Sequence, residues 1–189
     1  MEILFQKSFY QVWQYMLRQA AHDVQNLDRS LFKDPSLGGI LQKIAAKYEV
    51  EIARFEGEIA ATRRTEEREG RDAWGDRCTI KTTWLDVSIP FVGEAESFRS
   101  APSRWGTPSH RVTIGQHALT ITIPDDERAD AAIEQFKTVV GDNLRLLQAE
   151  YQQAKPQLQQ AIQQAVDRRK AEIAAEDTRD KGRSFRVIN

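Results

Sequence analysis

The fold is decided by residues 129–173, which read ADAAIEQFKTVVGDNLRLLQAEYQQAKPQLQQAIQQAVDRRKAEI. Apolar side chains recur in this stretch at steps of three, four and seven: Ala129, Ile133, Phe136, Val140, Leu144, Leu147, Tyr151, Leu158, Ile162, Val166 and Ile173. That period is typical of one face of a helix. A helix of about 45 residues is about 67 Å long, whereas a domain of this size has a diameter near ~42 Å. The stripe therefore predicts a helix that extends beyond its own domain and needs a partner.

Two features bear on whether this helix is one piece. Gly141-Asp142-Asn143 is typical of a helix end followed by a new N-cap, and Pro156 cannot donate to the carbonyl of Gln152. The apolar stripe nevertheless keeps its phase, because Phe136, Leu147 and Leu158 lie eleven residues apart. Two alternatives stay open: a continuous or kinked helix, and two antiparallel helices that meet near Pro156.

The N-terminal part of the chain predicts two more helices. Apolar and aromatic residues from Ile3 to Val24 have helical spacing, and Ser36 is a suitable N-cap for a second helix that reaches Tyr48. Together they predict a helical hairpin over residues 1–50. Charged residues and glycine crowd Arg63–Asp76, which we expect to be a mobile, solvated loop that folding does not require.

The middle of the chain predicts strands. Thr79–Phe91 is rich in β-branched and aromatic residues, and Val112–Ile123 alternates apolar with polar residues around Gly115-Gln116-His117. The order of helices, antiparallel strands and a long helix predicts an α+β fold. We expect one domain over residues 1–189, with strands at 77–124 and the long helical region at 126–180.

Composition narrows the classes of function. The net charge is −1, so no global basic field attracts nucleic acid. The single cysteine, Cys78, cannot form an internal disulfide, which favours a cytoplasmic protein. The first residues lack the pattern of a signal peptide, and no apolar run is long enough to span a membrane.

No catalytic signature is present in the sequence. It has no Gly-Lys pair for a phosphate-binding loop and no Asp/Glu-x-Lys for a magnesium nuclease. The histidines His22, His110 and His117 do not have the spacing of a metal site, even with Cys78 or Asp125 nearby. We therefore predict no catalytic residue, no metal and no cofactor.

Two clusters could contact a ligand or nucleic acid. The first lies in the Pro102–His117 region and consists of Arg104, Trp105, His110 and Arg111, where tryptophan and arginine could stack on a base or a peptide. The second is Arg168, Arg169 and Lys170 near the C-terminus. Acidic residues such as Glu172 and Glu176 are interleaved with this second cluster, which favours ion pairs on a solvated helix face.

Short motifs in the C-terminal half resemble those of a known group. Val87-Ser88-Ile89-Pro90-Phe91-Val92-Gly93 is a PF-x-G strand end, Pro102-Ser103 follows, and the long helix carries Arg168-Arg169 near its end. In this arrangement the chain resembles an uncharacterised group of small bacterial proteins. The resemblance implies an accessory component of an antiviral or mobile-element locus, and it brings no catalytic residue.

These observations predict a non-enzymatic protein-interaction or assembly subunit. The expected interface is the long helix, through Phe136, Leu147, Tyr151, Leu158 and Ile162. It would bind a protein partner or a second copy, and we expect neither membrane nor nucleic-acid contact. The alternative is an effector enzyme or nucleic-acid-associated protein whose site lies around Pro102–His117.

Overall fold

The computed structural model describes residues 1–71, 73–106 and 111–181. They form the predicted α+β fold, with two N-terminal helices, an antiparallel sheet and a long C-terminal helix. The chain divides into a sheet unit, Met1–Tyr10 with Glu51–Glu150, and a helical unit, whose described residues are Gln11–Val50 and 151–181. The first ten residues therefore belong with the strands and not with the N-terminal helices.

The sheet unit is organised around one long strand, β4 (Arg77–Val92). On one side, β4 pairs with β2 (Arg54–Phe55) and with β3 (Ala60–Arg71). On its other side it pairs with β7 (Ala118–Pro124), which pairs in turn with β6 (Val112–Ile114). All of these pairings are antiparallel, so the strand regions predicted at residues 79–91 and 112–123 are confirmed.

Alternation along β4 and β7 separates the two faces of the sheet. Val87, Ile89 and Phe91 of β4 are buried, while the residues between them are half-buried. The register places Val87 opposite Ile121 and Ile89 opposite Leu119, so the buried side chains of both strands share one face. Burying that face against a helix is the usual solution for an α+β unit.

The prediction of a loop over Arg63–Asp76 is wrong for residues 63–71, whereas residues 73–76 form a turn. Residues 60–71 are strand β3, which pairs with β4 from Ala60 opposite Ser88 to Arg71 opposite Arg77. Nearly every β3 side chain is exposed, as the charged sequence predicted. The residues do not alternate in polarity because neither face of this strand is buried, and the β4 backbone supplies the hydrogen-bonding partner that a sequence pattern does not reveal.

The predicted start of the first helix at Ile3 is also wrong. Leu4 and Phe5 are buried in a bend of the main chain, and Phe5 has a φ of 57°. The main chain of Glu2 pairs with Val112 at the edge of β6, and the Phe5 N–H donates to the Phe98 carbonyl at 2.8 Å. The aromatic side chains have helical spacing here, but pairing with the sheet unit satisfies the backbone in another way. Two residues further on, β1 (Lys7–Ser8) pairs in parallel with β5 (Ser100–Ala101).

The helical unit contains the two predicted N-terminal helices. They are α1 (Phe9–Gln25), which begins in the sheet unit, and α2 (Leu37–Lys47), which follows Ser36. Asp23 of α1 accepts hydrogen bonds from Lys47 at 2.7 Å and from the Tyr48 hydroxyl at 2.8 Å, which joins the ends of both helices.

The C-terminal element is one helix, α3 (Ala129–Lys181), of 53 residues. Its length is about 80 Å at the rise of an α-helix. Pro156 lies inside it, and Gly141 does not end it. The continuous alternative is therefore confirmed and the hairpin near Pro156 is not formed, as the unbroken phase of the apolar stripe favours.

Candidate interaction surface

The helix face predicted to bind a partner is covered within the single chain. Phe136, Leu147, Tyr151, Leu158 and Ile162 are all buried, and the most exposed of them, Ile162, retains 6% of its surface. In this structure these side chains contribute to the core of the protein. A partner that binds the folded chain therefore meets other surfaces first.

Tyr151 shows how closely this face is integrated into the helical unit. Its hydroxyl accepts a hydrogen bond from the Val50 N–H at 3.0 Å, and its ring meets the Trp13 ring edge-on at 5.6 Å between centroids. The Trp13 indole N–H donates to Gln157 Oε1 at 3.2 Å. Further along α3, Glu176 accepts from Arg29, which follows α1, at 3.4 Å. Because Trp13 and Arg29 meet successive parts of α3, α1 runs parallel to it.

The loop after β5 is held against α3 by a buried amide. Asn143, which is 1% exposed, donates to the Gly106 carbonyl at 2.8 Å and accepts from the Gly106 N–H at 2.9 Å. The Ser103 N–H donates to the Glu150 carboxylate at 2.8 Å. Asn143 therefore anchors a loop instead of starting a new helix. The anchored loop presents Arg104 and Trp105 at the surface, with Trp105 44% exposed.

Arg111 lies in a different environment from Trp105. It lines a cleft of about 320 Å³ with Arg99, Lys7 and the first residues of the chain. The Arg99 guanidinium donates to both carboxylate oxygens of Glu2, at 2.9 and 3.0 Å, and these hydrogen bonds lower the Glu2 pKa. His110 lies outside the described residues. As far as the described residues show, Arg104 and Trp105 do not line this cleft, so the geometry adds no support to the alternative site around Pro102–His117.

The basic cluster of α3 is partly neutralised by its acidic neighbours. Arg169 pairs with Glu172 at 3.3 Å and lies 3.9 Å from Glu176, which confirms the expected opposition of these charges. Arg168 and Lys170 are exposed. A face of mixed sign attracts nucleic-acid phosphates weakly.

The surface that sequence reasoning missed is a two-stranded arm formed by residues 66–71 and 73–82. Pairing of β4 with β7 ends near Thr83, whose carbonyl accepts from the Asp125 N–H at 3.0 Å. Beyond that point β3 and β4 pair only with each other among the described residues. At the rise of a β-strand, this arm extends for about 20 Å.

The base of the arm is held by a charged hydrogen-bond network on one face. The Thr122 hydroxyl donates to Asp86 at 2.6 Å, and Arg64 donates to the same carboxylate at 3.2 Å. These two contacts lower the Asp86 pKa, the threonine contributing most. Glu66 also pairs with Arg64. The network fixes the strand from which the arm extends.

The tip of the arm carries an exposed aromatic side chain. Trp74 is 87% exposed, and Gly75 beside it has a φ of 91°, a conformation that glycine adopts without steric cost. The Arg71 guanidinium donates to the Gly75 carbonyl at 2.9 Å and so closes the turn. One signal in the sequence could have predicted this arm. The segment from Cys78 to Thr83 is rich in β-branched residues and so needs a neighbouring strand, and Gly75 before it is typical of a hairpin turn.

Among residues 1–71, 73–106 and 111–181, no three or more His, Cys, Asp or Glu side chains form a group that could hold a metal ion. No described helix combines the length and apolar character that crossing a membrane requires. Cys78 is a half-buried free thiol in the arm.

Comparison with known proteins gives no family to which the chain can be assigned. No protein-family model, no curated protein and no solved structure matches it.

Proposed function

We propose that this chain is a non-enzymatic protein-interaction or assembly subunit and that it binds through the arm. The observation that carries this proposal is the position of Trp74, 87% exposed at the tip of a two-stranded ribbon. A large aromatic side chain held in water at the end of a projecting element is typical of a residue that becomes buried on binding.

The construction of the arm supports a binding role. A two-stranded ribbon buries little apolar surface and is marginally stable by itself in water. Contact with a partner would cover its faces and add stability. The hydrogen bond from Arg71 to the Gly75 carbonyl already orders the tip, which lowers the entropy lost when Trp74 is immobilised.

The charges of the arm favour a protein over a nucleic acid. Its cationic side chains are matched by as many anionic ones among the described residues: Arg68, Arg71, Arg77 and Lys81 against Glu66, Glu67, Glu69 and Asp76. A phosphate backbone attracts an excess of positive charge. A mixed-sign rim around an aromatic residue is typical of protein interfaces.

Site-specific photo-crosslinking tests this proposal. A photoreactive amino acid replaces Trp74 in the full chain, and the matched control carries it at Tyr15 on α1, which is 57% exposed. We expect protein adducts from position 74, including adducts between copies, and few from position 15. Equal labelling from both positions, or none from position 74, would show that the arm tip has no specific protein partner.

A further inference from the structure

The outer edge of β3 has unused main-chain hydrogen-bonding groups. Because the Thr83 carbonyl accepts from Asp125, Thr83 directs its main-chain groups toward β7 and away from β3. Thr65 lies directly opposite Thr83, so it forms a non-hydrogen-bonded pair and directs its own N–H and C=O outward. The same holds for alternate residues along β3, including Arg63 and Glu67. No described strand pairs with this edge.

The side chains along that edge carry opposite charges on the two sides of one uncharged residue. Residues 63–67 read Arg-Arg-Thr-Glu-Glu. If a second β3 strand lies antiparallel to the first about a twofold axis at Thr65, Arg63 faces the partner's Glu67 and Arg64 faces the partner's Glu66. A twofold axis normal to the sheet keeps each pair on one face, so all four pairs combine opposite charges at the distance of cross-strand neighbours.

We propose that two copies of the chain associate by antiparallel pairing of their β3 strands about Thr65, which joins their two sheets into one. This inference rests on the proposed interaction role and names the partner as a second copy of the chain. Its main-chain bonds come from the outward groups of Thr65, Arg63 and Glu67, and its specificity comes from the charges.

The charge pattern selects one register. A twofold axis moved to residue 63, 64, 66 or 67 places a charged side chain opposite its own copy, because each of those residues is Arg or Glu. Thr65 is the uncharged centre. Exposed edge strands are commonly protected by charges that repel a second strand. A run of charges of one sign would repel a second β3 strand. The arrangement of Arg63 to Glu67 instead attracts a second copy in one register.

Existing ion pairs extend across the proposed junction. On one face Arg63 pairs with Asp125 at 2.6 Å, and Glu67 pairs with Lys81 at 2.7 Å. Pairing of Arg63 with the partner's Glu67 links these into a row of alternating sign. On the other face, Arg64 already contacts Asp86 and Glu66, and the partner's Glu66 extends that network in the same way.

Exchanging the charges of β3 and measuring the molecular mass in solution tests this inference. Sedimentation equilibrium of the wild type should show a concentration-dependent rise from 21.6 kDa to twice that mass. R63E/R64E makes the edge uniformly acidic and E66R/E67R makes it uniformly basic, so each variant alone should lose the dimer. An equimolar mixture of the two should recover it, and the fourfold exchange R63E/R64E/E66R/E67R should dimerise with itself. R128E/R145E, on exposed positions of the chain outside β3, makes the same charge change as R63E/R64E and should leave the mass unchanged.

Two proline variants distinguish loss of pairing at the outer edge of β3 from loss of the arm itself. Thr65→Pro removes an N–H that points outward, so β3 can still pair with β4, whereas the dimer should be lost. Arg64→Pro removes an N–H that points toward β4 and should disturb the arm itself. Circular dichroism checks that each charge variant is folded.

Distinct outcomes separate this inference from the proposed function. A wild type that stays at 21.6 kDa, or a dimer that survives both single-sign variants, overturns pairing at β3. If such a monomer still gives protein adducts from position 74, the interaction role stands with a different partner. If the dimer forms as expected but position 74 gives no adduct, the edge is an interface and the arm tip is not.

Discussion

Helix α3 and the arm are both long and rich in charge, yet they relate to the rest of the molecule in opposite ways. Nearly all of the apolar stripe of α3 is buried, with Ile133 half-buried, whereas β3 buries almost no side chain. In α3 the charges lie around a buried stripe and are incidental to it. In β3 the charges are the principal feature, because the backbone edge behind them has no further partner among the described residues. A long apolar stripe therefore does not by itself mark an interface, and an exposed charged strand does not by itself mark a loop.

The largest expected effect tests whether the apolar stripe of α3 belongs to the core of the single chain. Replacing Leu158 and Ile162 with glutamate places two charges in buried positions, so we expect the free energy of unfolding to fall by at least ~4 kcal/mol. Urea denaturation followed by circular dichroism measures this change. The controls are Q160E/Q164E, on exposed positions of the same helix, and Trp74→Glu at the arm tip, each expected to stay within about 0.5 kcal/mol.

The opposite outcome for that pair of changes would restore the first interpretation of the stripe. If L158E/I162E leaves unfolding unchanged but lowers the mass in solution, the stripe is an intermolecular interface. The helical unit would then open in the assembled protein.

An intermediate effect is expected from the buried amide of α3. Asn143→Leu leaves the N–H and the carbonyl of Gly106 without their partner, which should cost about 1–3 kcal/mol. Chemical denaturation gives the value, and the fluorescence of nearby Trp105 should respond in the folded state. Asp142→Ala, one residue away and exposed, is the matched control. Equal stability of both variants would mean that Asn143 does not hold the loop.

The smallest expected effect concerns Asp23 in the helical unit. Hydrogen bonds from Lys47, and then from Tyr48, lower the pKa of Asp23 below its usual value. A lowered folded-state pKa means that the stabilisation is fully present above the unfolded pKa of about 3.9 and is lost as pH falls through the folded value. At neutral pH, the free energy of unfolding of the wild type should therefore exceed that of Asp23→Asn by about 1 kcal/mol or less.

Thermal unfolding of both proteins from neutral to acidic pH measures this difference. The two curves should converge as the pH falls below ~4 and through the lowered folded-state pKa of Asp23, where the carboxylate becomes protonated in the folded protein as well. A difference that persists unchanged at the acidic end would assign the effect of the substitution to packing and not to charge.

Local patterns were sufficient to predict several elements of the sheet and helical units. The β4 segment from Thr79 to Phe91 and the hairpin of β6 and β7 could be predicted because β-branched residues alternate with polar ones along a half-buried sheet. Ser36 marked the start of α2. These elements have one buried and one solvated face, and the sequence shows that difference as a periodic pattern of apolar and polar residues.

The candidate site could not be predicted in the same way. Residues 63–71 lack any periodic apolar pattern, because the strand they form is solvated on both faces. The N-terminal residues Leu4 and Phe5 lie in a stretch with helical spacing, but main-chain hydrogen bonds to the strands of the sheet unit hold them in a bend instead. In both cases the deciding interactions join residues far apart in the chain, and no local pattern contains them.

The sequence by itself determined which face of α3 is apolar and favoured its continuity, because helical periodicity is a local property that keeps its phase across Gly141 and Pro156. Only the tertiary structure decided that this face is buried in the single chain. It also decided that Thr65 directs its main-chain groups outward, since this direction follows from the register of β3 on β4 and of β4 on β7. Burial and register depend on which segments meet, so they exist only once the chain has folded.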